Sequence, residues 1–118
     1  MEFQNVFLLF RRLSGLQKED SLKFRFLCET AYDYILAHLK QEASLDKCGS
    51  RLEFAAAALA YYRWILWSLT ESGDDITVGE ISVKPSSQKI EYALHICRQA
   101  LGDIADVFDS DEFVFEGV

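Results

Sequence analysis

The chain has 118 residues, a length that suits one domain and is too short for two. Half of the residues are hydrophobic (50%) and 14% are aromatic, which is ample material for a packed core and argues against extensive disorder. The formal net charge is -7, and this argues against binding to duplex nucleic acid or to anionic membranes, which both need a basic surface.

The first half of the chain predicts two helices. Apolar residues recur at helical spacing over residues 3–13, and Ser14-Gly15 is a stop signal for this first helix. A second helix is predicted to open at Asp20 or Ser21, either of which can cap it, and to run to about Glu42.

The third predicted helix spans residues 50–70. Ser50 and Glu53 fit a capping box ahead of an apolar run. Between Phe54 and Leu69 only Arg63 and Ser68 break the apolar surface. We therefore expect a helix that is buried nearly all round, either at the centre of the domain or against another subunit.

Residues 76–84 predict a β-hairpin between the third and fourth helices. Apolar residues alternate at 76 and 78 and again at 81 and 83, but the alternation changes phase at Gly79-Glu80. A type II′ turn at these two residues restores the alternation and places four apolar side chains on one face. These side chains are Ile76, Val78, Ile81 and Val83.

Pro85 should end the hairpin, and Ser86 or Ser87 should cap a fourth helix. Residues 109–118 form an acidic and apolar tail, in which Phe113 and Phe115 share one side if the backbone is extended. The predicted fold class is thus mostly α: one domain over 1–118, with a four-helix core, one hairpin and an extended C-terminal tail.

The three cysteines, Cys28, Cys48 and Cys97, are odd in number and too widely spaced for a disulfide framework, which favours reduced thiols and an intracellular protein. No motif supports a Cys–His nucleophile, and His95 is expected to be exposed beside a core Cys97. A solvated acidic tail is favoured over a cation site at residues 109–112. We therefore predict no catalytic residues, no cofactor, no metal and no enzyme activity.

A protein-binding surface is the remaining prediction. Trp64 and Trp67 fit an interface anchor, although a place in the core is at least as good an explanation. The hairpin and the tail suit strand addition to neighbouring chains, and folding back onto their own helices is the equal alternative. The predicted interface comprises Trp64, Trp67, Ile76, Val78, Ile81, Val83, Phe113 and Phe115.

The order of these elements resembles a known family. The helix that begins Arg51-Leu52-Glu53-Phe54 and carries Tyr61-Tyr62-Arg63, followed by Val78-Gly79-Glu80-Ile81, is similar to head–tail connector (adaptor) proteins of phages and prophages of Gram-positive bacteria. The N-terminal excess of phenylalanine (Phe3, Phe7, Phe10, Phe24 and Phe26) has no place in that pattern.

The resemblance implies a non-enzymatic structural protein of virion assembly. Its partners would be copies of itself, in a ring beneath the portal, and other phage neck proteins. DNA would pass through the ring without sequence-specific contact, and no membrane would be involved. The protein would lie in the host cytoplasm and then in the virion. The alternative hypothesis is a small intracellular helical module that binds or regulates another protein.

Overall fold

The computed structural model describes residues 1–40, 45–71 and 80–106, with side chains over 1–40, 49–68 and 88–106. Five helices form this part of the chain, and it contains no β-strand. They are α1 (Phe3–Ser14), α2 (Lys18–Leu22), α3 (Arg25–Ala37), α4 (Leu45–Glu71) and α5 (Glu80–Asp103).

Helix α4 is the centre of the fold, since α1, α3 and α5 all pack against it and α1 also packs against α3. Its residues Ala55 to Ala60 are at most 2% exposed, and Leu52 is fully buried. The small alanine side chains let neighbouring helices approach α4 from every side. The prediction of a third helix that is buried nearly all round is thus confirmed for its middle, whereas Leu66 and Trp67 further along are 39% and 40% exposed.

The first helix ends as its sequence predicts. Gly15 adopts a left-handed conformation (φ 74°), and its N–H donates to the carbonyl of Arg11 at 2.9 Å. This closes the last turn of α1 by the usual left-handed glycine cap. The basic side chains of Arg11 and Arg12 lie in that turn, where cations favour the helix dipole.

The predicted second helix is divided in two. Helix α2 ends at Leu22, and α3 begins at Arg25 after a turn in which the Phe24 N–H donates to the Ser21 carbonyl at 3.0 Å. The turn leaves the Phe24 ring 6.1 Å from the ring of Trp64 on α4. Helical spacing alone does not reveal such a break, because the apolar residues on both sides still face the core.

The predicted hairpin over 76–84 is wrong. Ile81 and Val83 belong to α5, which begins at Glu80 rather than after Pro85 and runs for 24 residues, whereas Ile76 and Val78 lie outside the described residues. Spacing does not separate helix from strand in so short an apolar run. A helix bonds its own backbone locally, while an isolated two-stranded hairpin is marginal in water.

The four-helix count and the Ser50 cap are also corrected. Helix α4 begins at Leu45, so Ser50 lies within it and cannot cap it. The tail over 109–118 lies outside the described residues.

Candidate protein-binding surface

Trp64 contributes mainly to the contacts between helices. Its half-buried ring meets Phe10 of α1 edge-on, at 6.2 Å and 87°, and meets Phe24 at 6.1 Å and 68°. Its indole Nε1 is buried and has no hydrogen-bond acceptor among the described residues. The Trp64 ring thus joins α1 and the start of α3 to α4.

Trp67 is the more accessible of the two predicted tryptophans. It is 40% exposed and meets Phe26 of α3, itself 42% exposed, with ring centroids 5.4 Å apart at 73°. We call Phe26 and Trp67 the aromatic edge. Two large aromatic side chains that contact each other and remain exposed are suitable anchors for a protein partner.

The structure does not show the other predicted interface residues at this surface. Ile76, Val78, Phe113 and Phe115 lie outside the described residues. Ile81 and Val83 are placed by their backbone in α5, but their side chains are also outside the described part. Their role at an interface stays a prediction.

A groove that the sequence does not predict lies between α1 and the α2–α3 turn. It encloses about 460 Å³, and we call it the cationic groove. Leu8 and Leu22 in its wall are 51% and 49% exposed. Its lining combines apolar, polar and basic side chains and contains no carboxylate: Phe3, Gln4, Phe7, Leu8, Arg11, Lys18, Leu22 and Arg25.

The charge of this groove is only partly compensated. Arg25 lies 5.1 Å from the centroid of the Phe3 ring, and its Nε is 3.6 Å from a carboxylate oxygen of Glu29. Arg11 and Lys18 have no ion-pair partner within the described part of the chain. A chain of net charge -7 therefore has a local basic site that is flanked by apolar side chains.

The contacts with Trp64, the aromatic edge and the groove together account for the excess of phenylalanine at the N-terminus. Phe10 and Phe24 pack on Trp64, while Phe26 forms the aromatic edge. Phe3 and Phe7 line the groove. Only the α1 part of the signal was present in the sequence, because Phe3, Phe7 and Arg11 follow an i, i+4, i+8 spacing along one face of that helix.

Cys28 and Cys97 are buried and are held as thiols. Burial raises the pKa of Cys28 to about 12, with a smaller contribution from Glu29, while Arg25 opposes the shift. Burial likewise raises the pKa of Cys97 to about 12, against the effects of Arg63 and Arg98. Since thiolate is the nucleophilic form, both thiols are poor nucleophiles near neutral pH.

His38 and His95 differ in their surroundings. The His38 ring stacks on Tyr34 at 4.2 Å, and its Nδ1 lies 2.9 Å from the Tyr34 carbonyl oxygen. His95 is exposed while Cys97 is buried, as predicted.

Among the described residues, no three His, Cys, Asp or Glu side chains are grouped closely enough to hold a metal ion. None of the helices in that same part is both long and apolar enough to cross a membrane. No family model, curated protein or solved structure matches the chain.

Proposed function

We propose that this chain is a non-enzymatic structural protein that binds other protein surfaces, as a head–tail connector subunit does when it joins its neighbours and the adjoining neck proteins. The aromatic edge is the observation that carries the proposal. Phe26 and Trp67 are both large, both about two-fifths exposed and in contact with each other.

The aromatic edge is not needed to close the core of the chain. Helix α4 is already enclosed from Leu52 to Ile65 on its core-facing positions, and Phe10 and Trp64 seal the contact between α1 and α4. Covering the exposed parts of two aromatic rings stabilises an interface at roughly 25 cal/mol per Å² of apolar surface. A partner surface would gain most from binding at this position.

Light scattering over a wide concentration series, coupled to size-exclusion chromatography, tests the proposal. The full chain should give a molar mass that rises with concentration towards a closed oligomer. Replacing the aromatic edge (Phe26→Ser with Trp67→Ser) should shift this rise to higher concentration, because the apolar contact is lost. Tyr92→Ser is the matched control, since Tyr92 is 61% exposed on α5.

Two results would contradict assembly through the aromatic edge. One is an unchanged concentration dependence in the Phe26 and Trp67 variant, provided that its circular dichroism matches the wild type. The other is a monomer at every concentration that binds a single peptide, which would favour the binding or regulatory module instead. Genes for a portal or capsid protein beside this one would favour the connector.

A further inference from the structure

The cationic groove defines the chemistry of its occupant. Arg11, Lys18 and Arg25 line it together with Phe3, Phe7 and two exposed leucines, and no carboxylate is among its lining residues. The occupant should therefore carry several acidic groups next to apolar, preferably aromatic, side chains.

The tail of this chain has that composition. Residues 109–118 contain four acidic residues, Asp109, Asp111, Glu112 and Glu116, and no basic one. Phe113, Val114 and Phe115 stand between the third and fourth acidic residues. This combination of acidic and apolar residues complements a groove that is lined by both cations and apolar side chains.

The position of Asp106 limits how far the tail can reach along the groove of its own copy. Arg51, near the start of α4, donates from one guanidinium nitrogen to the carbonyl oxygen of Asp103 at 2.6 Å, and that nitrogen lies 3.3 Å from Oδ1 of Asp106. Trp64 lies 13 positions after Arg51 along α4. Phe10, which packs on Trp64, immediately precedes Arg11. Those 13 positions span about 20 Å of helix.

The first three acidic residues of the tail follow Asp106 by only three to six positions. An extended chain of six residues reaches at most about 21 Å. Reaching the level of Arg11 takes up nearly all of this length, and little remains for passing from α5, which packs on α4, to the side of α1. The other end of the groove, at Phe3 and Arg25, lies closer to Arg51, because Phe3 follows Glu2, whose backbone N–H donates to Glu53. The first three acidic residues of the tail therefore cannot pair with Arg11 of their own copy. A neighbouring copy has no such restriction.

We propose that the cationic groove of one copy binds the tail (109–118) of a neighbouring copy. The acidic side chains would pair with Arg11, Lys18 and Arg25, and Phe113 and Phe115 would contact the apolar wall of the groove. Such a contact joins two different surfaces, so it extends from copy to copy and closes when the rotation between copies forms a ring. This inference rests on the proposed assembly function and names one of its interfaces.

Photo-crosslinking of the full chain tests where the tail lies. A benzoylphenylalanine in place of Phe115 is irradiated, and the adducts are separated by mass and mapped by peptide sequencing. The proposal expects adducts of two chains, mapped to residues 3–11 or 18–25. It is overturned if the adducts are only within one chain or map elsewhere.

A charge exchange tests the proposed pairing. Lys18→Glu with Arg25→Glu should weaken self-association about tenfold, and so should Asp111→Lys with Glu112→Lys. The combination of all four substitutions should restore association, because the charges are again opposite. Lys40→Glu with Lys89→Glu is the control, since both lysines are exposed outside the groove and the net charge changes equally.

The two proposals fail in different ways. If the groove reversal behaves like the Lys40 and Lys89 control while Phe26→Ser with Trp67→Ser still weakens association, the tail proposal is wrong and the aromatic edge stands. If the variant that combines all four charge substitutions does not regain association, the proposed pairing is also wrong. If neither the aromatic edge nor the groove affects association, both proposals fall.

Discussion

The carboxylate of Glu53, on α4, accepts a hydrogen bond of 2.7 Å from the backbone N–H of Glu2, the residue that precedes α1. The same oxygen accepts from the Asn5 side-chain amide at 3.1 Å. The side chain of Glu2 itself makes no capping bond. One helix therefore supplies the N-terminal cap of another, and the negative charge lies where it favours the dipole of α1.

Replacing Glu53 should loosen the start of α1. We expect Glu53→Ala to lower the free energy of unfolding by about 1 kcal/mol, the usual effect of losing a helix N-cap. Urea unfolding followed by circular dichroism measures the change. Glu91→Ala is the control, because Glu91 is an exposed carboxylate on α5. Equal midpoints for the two variants would show that Glu53 does not cap α1.

Two glycines should respond to alanine in opposite directions. Gly15→Ala should destabilise the protein by about 1 kcal/mol, since φ is 74° at Gly15 and an added Cβ is strained there even though no atom lies within 4 Å. Gly102 is inside α5 and also has open space around a Cβ, so Gly102→Ala should stabilise by about 0.5–1 kcal/mol. Thermal unfolding of both variants checks the signs, and a stabilising Gly15→Ala would rule out the left-handed cap.

The alanine segment of α4 should not tolerate larger side chains. Ala57 is fully buried where helices meet, so Ala57→Leu should overpack the core and lower the free energy of unfolding by about 1–3 kcal/mol. The control is Ala37→Leu, because Ala37 is exposed at the end of α3. If the variant at Ala57 were as stable as the control, α4 would not be enclosed as the structure has it.

The buried thiols should make the protein less stable at alkaline pH. The pKa of Cys28 and of Cys97 is about 12 in the folded chain, against an ordinary 9.0. Below pH 9 both states keep these protons, so the thiols add no pH dependence. Between pH 9 and about pH 12 the unfolded chain binds fewer protons than the folded chain, so the free energy of unfolding falls as pH rises.

Unfolding by urea at several pH values measures this slope. Replacing both thiols (Cys28→Ala with Cys97→Ala) should make the alkaline fall in the free energy of unfolding shallower. Below pH 9 the free energies of the variant and the wild type should depend on pH in the same way. An identical alkaline slope would mean that the thiols are not buried as described.

The strongest sequence predictions concerned elements whose evidence is local. The end of α1 follows from Gly15, because only a left-handed residue closes that turn without strain. The burial of α4 at Ala55 to Ala60 follows from the apolar run that begins at Phe54, because this run offers no polar face to water. The mostly helical class follows from apolar residues that recur with a period of about 3.6 residues, as over residues 3–13.

The tertiary structure alone decided the remainder, for physical reasons. Residues 80–83 have a spacing that fits either a strand or a helix, and the continuous backbone hydrogen bonding of α5 decides between them. Glu53 looked like half of a capping box in its own helix, but it caps α1 because the docking of α1 brings Glu2 to it. The cationic groove combines residues of α1 with those of α2 and α3, so no single segment of sequence contains its pattern.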